Sequence, residues 1–145
     1  MPMVKTAKFG GSSLSDADQF RKVAAILQAD PTRRFVVVSA PGKRFSGDDK
    51  ITDLLYKCAD LSSRREDFSP AFGPIRDRFL SIERDLSIES AHISEALDEI
   101  EAELGTGRAS RDYVASRGEQ QHLPYLDLFP FGANGSLGWH GAAHA

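Results

Sequence analysis

The chain has a single cysteine, Cys58, a single tryptophan, Trp139, and no long apolar run. One thiol excludes an internal disulfide and any multi-cysteine zinc site. No stretch approaches the roughly 20 apolar residues of a membrane-spanning helix, and no basic start followed by an apolar run suggests a secretory signal. Charge of one sign is also lacking. The 145 residues carry a net charge of −3 and a pI near 5.8, so there is no electrostatic footprint for nucleic acid or an anionic membrane. These absences point to one cytoplasmic domain, large enough for a single core.

What the chain does have begins at Lys8-Phe9-Gly10-Gly11-Ser12-Ser13. Residues 3–9 read as a short strand with β-branched Val4 and Thr6. Ser15-Asp16-Ala17-Asp18 reads as a helix start with a hydroxyl cap and acids in the first turn. A strand, two glycines and a helix N-terminus make an anion site: the missing Cβ atoms let the amides approach a phosphate, and the helix end adds positive potential. Lys8 can follow phosphoryl oxygens, and Ser12 and Ser13 can donate hydroxyl hydrogen bonds. The plainer alternative is a Gly-Gly turn beside an exposed lysine, and the local pattern leaves both open.

Arg34–Ser39 is an apolar β-branched run suited to a buried parallel strand. It leads into Ala40-Pro41-Gly42-Lys43, at the carboxyl end of a strand, where ligands bind in open α/β sheets. Four apolar stripes at helical spacing follow the pattern of packed helices. They are Phe20, Val23, Ala24 and Leu27; Ile51, Leu54, Leu55, Cys58 and Leu61; Ile75, Phe79, Ile82 and Leu86; and Ile93, Leu97, Ile100 and Leu104. Pro31 ends the first helix, since the residue before a proline avoids helical geometry, and Gly105-Thr106-Gly107 breaks the last. Cys58 lies on an apolar stripe and reads as a core thiol. Mixed charges around the third stripe, among them Arg76, Asp77, Arg78 and Glu83, read as a solvated face. Asp48-Asp49 reads as a hydrated pair in a glycine-flanked loop rather than a metal site.

Lys8–Ser13, Val36-Val37-Val38-Ser39-Ala40, Ile51-Thr52-Asp53-Leu54-Leu55 and Ser116-Arg117-Gly118-Glu119 occur in this order, and together they resemble the first half of an aspartate kinase. The resemblance covers roughly residues 3 to 119. It implies a three-layer α/β/α fold with a mainly parallel sheet, of the amino-acid kinase kind and incomplete here, and places the N-terminal part of that domain at 1–119. It further implies transfer of the ATP γ-phosphoryl group to the side-chain carboxylate of L-aspartate, giving 4-phospho-L-aspartate. This is the first step toward the aspartate-derived amino acids (lysine, threonine, methionine). Lys8 is then the catalytic lysine, with Gly10, Gly11 and Ser12 beside the ATP phosphates and Mg2+ arriving with ATP. Glu119 would pair with the ammonium group of aspartate and Thr52 would bond near its carboxylate, with Ser39 and Ala40 lining the pocket.

The resemblance stops at Glu119. From Gln120 to the end, Asp127 is the only residue among the acids, lysines and arginines, and Pro124 and Pro130 interrupt any helix. His140 and His144 are four apart, but Gly138 and Gly141 speak against a helix that would hold them as metal ligands. A shifted reading frame or disorder would account for a divergent tail over 120–145. The family's later Arg-Asp segment, adenine-side loops and regulatory domains have no counterpart here. Two other readings therefore stay open. One is a non-catalytic fragment that binds phosphate weakly or associates with a full-length kinase subunit or with itself. The other is an amino-acid kinase relative with another acceptor.

Overall fold

The structure, a computed structural model, describes residues 3–87, 92–120 and 138–139, with the backbone alone for 92, 119, 120, 138 and 139. Strand β1 spans Lys5–Phe9, a 3-10 turn follows at Gly11–Leu14, and helix α1 runs Ala17–Ala29. Strand β2 is Arg33–Val38, and helices α2 to α5 are Ile51–Ser63, Ser69–Asp85, His92–Gly105 and Arg111–Gln120. A two-residue strand β3 lies at Gly138–Trp139.

β1 and β2 pair in parallel, with Thr6 opposite Phe35, Ala7 opposite Val36, Lys8 opposite Val37 and Phe9 opposite Val38. With α1 as the crossover, this is a βαβ unit. Strand alternation sends Phe9, Val36 and Val38 into the core, with Ala7 packed against it. Thr6, Lys8, Phe35 and Val37 share the opposite side, where Phe35 is 40% exposed. β3 adds to the far edge of β2, with Phe35 opposite Gly138 and Val36 opposite Trp139. The sequence of the tail has no strand periodicity, so this short pairing is an addition to the two strands read from it.

All four helical stripes converge on one apolar cluster. Phe20, Val23 and Leu27 of α1 meet Ile51, Leu55 and Cys58 of α2, Phe72, Ile75, Phe79 and Ile82 of α3, and Ile93, Leu97, Ile100 and Leu104 of α4. Burial pushes the Cys58 thiol up to about 11, which keeps it protonated and fits the core role. α1 stops at Ala29 because Asp30 leaves helical geometry ahead of Pro31. Asp30 instead accepts from the Thr32 amide and hydroxyl and from Lys5. α4 closes through Gly107, whose φ of 71° lies in the left-handed region. The result is an α/β fold with a small parallel sheet, consistent with an incomplete amino-acid kinase architecture. Among the described residues no helix is long and apolar enough to cross a membrane.

Candidate functional site

Three segments separated in sequence meet beyond the carboxyl ends of β1 and β2. Gly11 and Gly42 hold two of them together. Gly42 donates its amide to the Gly11 carbonyl at 2.7 Å. A Cβ on Gly42 would stand 2.5 Å from the Gly11 carbonyl carbon and 2.7 Å from the Ser12 amide nitrogen; one on Gly11 would stand 2.9 Å from the Ala40 carbonyl oxygen. Backbone meets backbone at this crossing, so neither position has room for a side chain. Gly10 is different. A Cβ there would meet nothing within 4 Å, and its φ of −76° suits any residue. Gly11 therefore serves the packing of two loops, while Gly10 leaves open space beside an exposed Ser12.

The third segment arrives on α5. Gly118 is buried, and a Cβ on it would lie 2.6 Å from Leu55 Cδ1, 3.6 Å from Ala40 Cβ and 3.9 Å from Ile51 Cγ2. Ala40 thus touches the Gly-Gly turn on one side and the Ser-Arg-Gly-Glu segment on the other. Ser39 and Thr52 are half-buried nearby in sequence, Thr52 in the first turn of α2. The first amide of that helix, on Ile51, donates to the Pro41 carbonyl at 3.0 Å, fixing α2 to the same loop. Lys8 is exposed, on the strand side shared with Thr6, Phe35 and Val37. The backbone of Glu119 belongs to the last turn of α5; its side chain lies outside the described residues, as do His140, His144 and the tail other than the backbone of 120, 138 and 139.

Two local expectations are corrected. The residue capping α1 is Asp16, whose carboxylate accepts the Gln19 amide at 3.0 Å, and Ser15 is turned inward to donate its hydroxyl to the Ser12 carbonyl at 3.1 Å. A 3-10 turn that begins at Gly11 stands between Gly10 and α1, and that helix end already holds a carboxylate. Any anion site here is therefore made by the glycine turn and Lys8 rather than by α1. Asp48 is the second correction. Far from being hydrated, its side chain is 8% exposed. It accepts from Arg44 Nε at 2.7 Å and Nη2 at 3.0 Å, from the Arg44 amide, and from Arg78 Nη2 at 2.7 Å. Hydrogen bonding to Arg44, and then the Arg78 charge, hold the Asp48 carboxyl well below the usual carboxylate range.

Arg78 is the residue that the charge pattern missed. It is 4% exposed, although its neighbour Asp77 is exposed and Arg76 only half-buried. A signal was present: Arg78 lies three residues after Ile75 and four before Ile82, on the apolar stripe itself. Glu83, also read as solvated, is buried too. Among the described residues, no three His, Cys, Asp or Glu side chains come together in a metal-binding group.

No family model matches the chain. It is 33% identical over 130 residues to Aspartokinase 3 of Bacillus subtilis (strain 168), covering 87% of this chain and 29% of that protein. Clostridium acetobutylicum aspartate kinase superposes with a TM-score of 0.81 at 39% identity, over 88% of this chain and 29% of that one. E. coli aspartokinase III in complex with aspartate and ADP gives a TM-score of 0.68 at 26% identity, over 86% of this chain and 28% of that one. The chain thus spans about 29% of the length of the curated relative it matches over most of its own.

Proposed function

We propose, from the premise that this chain is homologous to part of the aspartate kinases, that its site belongs to ATP-dependent phosphorylation of the L-aspartate side-chain carboxylate. A carboxylate oxygen attacks the γ-phosphorus, the bond to the bridging oxygen breaks, and ADP leaves as 4-phospho-L-aspartate forms. The nucleophile is ionised at neutral pH, so no general base is needed. What the protein must supply is alignment of two anions and neutralisation of charge on the transferring group.

The observation that carries the reading is the junction at Ala40. It packs against Gly11 on one side and Gly118 on the other, so three motifs far apart in sequence share one locality. In this reading Lys8 stabilises the transferring phosphoryl group, and Gly10, Gly11 and Ser12 face the ATP phosphates. Ser39, Ala40, Thr52 and Glu119 take the aspartate. The space left open at Gly10 supports close approach of a phosphate. Mg2+ enters with ATP. Residues 1–119 form the kinase-like part, residues 120–145 a divergent tail, and the protein works in the cytoplasm.

A second reading is favoured by the sheet face bearing Thr6, Lys8, Phe35 and Val37, which leaves Phe35 40% exposed. Parallel sheets bury both faces, so this face suits association with a full-length kinase subunit. Release of ADP from MgATP, with and without L-aspartate, separates the two. Aspartate-dependent turnover abolished in Lys8→Ala is the expected outcome for the kinase reading. A folded sample without turnover that co-elutes with a full-length subunit would replace it with the second.

A further inference from the structure

The geometry points to Arg78 as a positioning residue for the phosphate-facing glycine turn, an inference that rests on the phosphate reading above. Arg78 belongs to the middle of α3, outside every motif on which the family resemblance is built. Its guanidinium ties together Ser15, ahead of α1, and both ends of the 41–50 loop. Nη1 donates to the Gly42 carbonyl at 2.8 Å and to the Ser15 carbonyl at 3.3 Å. Nη2 donates to Asp48 Oδ2 at 2.7 Å and to the Asp49 carbonyl at 3.2 Å. The Gly42 residue that Arg78 grips is the one whose amide reaches the Gly11 carbonyl.

A continuous path therefore runs from α3 through Gly42 to the Gly10–Gly11 turn. The planar fork of an arginine suits this task, because donors leave it in fixed directions toward several acceptors at once. A lysine keeps the charge but not the fork. Asp48, held by Arg44 and Arg78 together, ties the far end of the 41–50 loop to the same point. Arg78 does not touch the phosphates; it sets where the turn that faces them stands.

The test compares Arg78→Lys with Ile82→Val, a modest core change on the same helix, using amide exchange in the full chain. Arg78→Lys should speed exchange at the Gly42 and Ile51 amides by about tenfold, the size of one lost hydrogen bond to a charged donor, with Leu27 and Ile100 unchanged. Ile82→Val should show no such selectivity. Unchanged Gly42 exchange, or equal acceleration everywhere, would overturn the inference. Should Arg78→Lys not fold, Arg78→Met takes its place, since Asp48 keeps Arg44. Failure of both to fold would make Arg78 a general scaffold residue and likewise overturn it. MgADP titration adds a second arm. Binding by the wild type and about tenfold weaker binding by Arg78→Lys supports positioning, and equal binding refutes it. A wild type that does not bind MgADP sinks the phosphate reading, and exchange at Gly42 alone then decides the role of Arg78.

Discussion

Two arginines, two residues apart on α3, meet opposite fates. Arg76 is half-buried, its side chain 25% exposed, and bonds two acids on α4 whose side chains are exposed, Asp98 at 2.7 Å and Glu101 at 3.0 Å. Arg78 is buried and bonds Asp48 and three backbone carbonyls. Both carry the same charge on the same helix. The difference is the dielectric around them: water reaches the acids that hold Arg76 and screens them, whereas Arg78 and Asp48 have both lost their hydration and depend on their partners. A charge pattern counts both alike, yet only the second shapes the site.

Breaking the buried side of the comparison has the largest expected effect. Asp48→Ala strands the Arg78 charge and should cost about 3–5 kcal/mol, measured by urea denaturation. The sign with pH follows from the depressed Asp48 value. Its contribution is complete above the unfolded carboxylate value of about 3.9 and is lost as pH falls from there through the lower folded value. The stability gap between wild type and Asp48→Ala should therefore close on acidification below about pH 4. A gap that stays constant to low pH would refute the ion pair as its source.

Next in size comes the glycine crossing. Gly42→Ala forces a Cβ into the Gly11 carbonyl group and should cost about 1–3 kcal/mol, while Gly10→Ala should stay within about 0.5 kcal/mol. Thermal unfolding of the two variants separates a packing glycine from one that leaves open space. Equal losses would erase that distinction. The smallest effect belongs to Arg76 and its two acids on α4, where Arg76→Ala should change stability by about 0–1 kcal/mol and less at high salt. A loss as large as that of Asp48→Ala would show that the two arginines do not differ as described.

Much of the fold was legible in the chain because it rests on periodicity. Phe20, Val23, Ala24 and Leu27 repeat at helical spacing and are all buried, and Asp30-Pro31 stops their helix where a proline requires it. The strand from Arg34 needed only a shift of one residue, to Arg33–Val38. The candidate site offered its motifs in the chain but not its scaffolding. Nothing local distinguishes Gly11 from Gly10, since the reason for Gly11 is the Gly42 backbone that reaches it from 31 residues away. The cap at Asp16 rather than Ser15 was equally hidden, because both residue types cap well and the choice fell to the 3-10 turn.

Sequence alone determined the apolar stripes, the order of strand, helix and strand, and the position of the glycine turn between β1 and α1, since each depends on neighbours a few residues apart. Tertiary structure alone decided that Ala40 would join three motifs, that Gly42 would cross Gly11, and that Arg78 rather than Arg76 would be taken out of water. Those outcomes depend on which distant groups meet, and burial converts an ordinary surface charge into one whose partners must all be present.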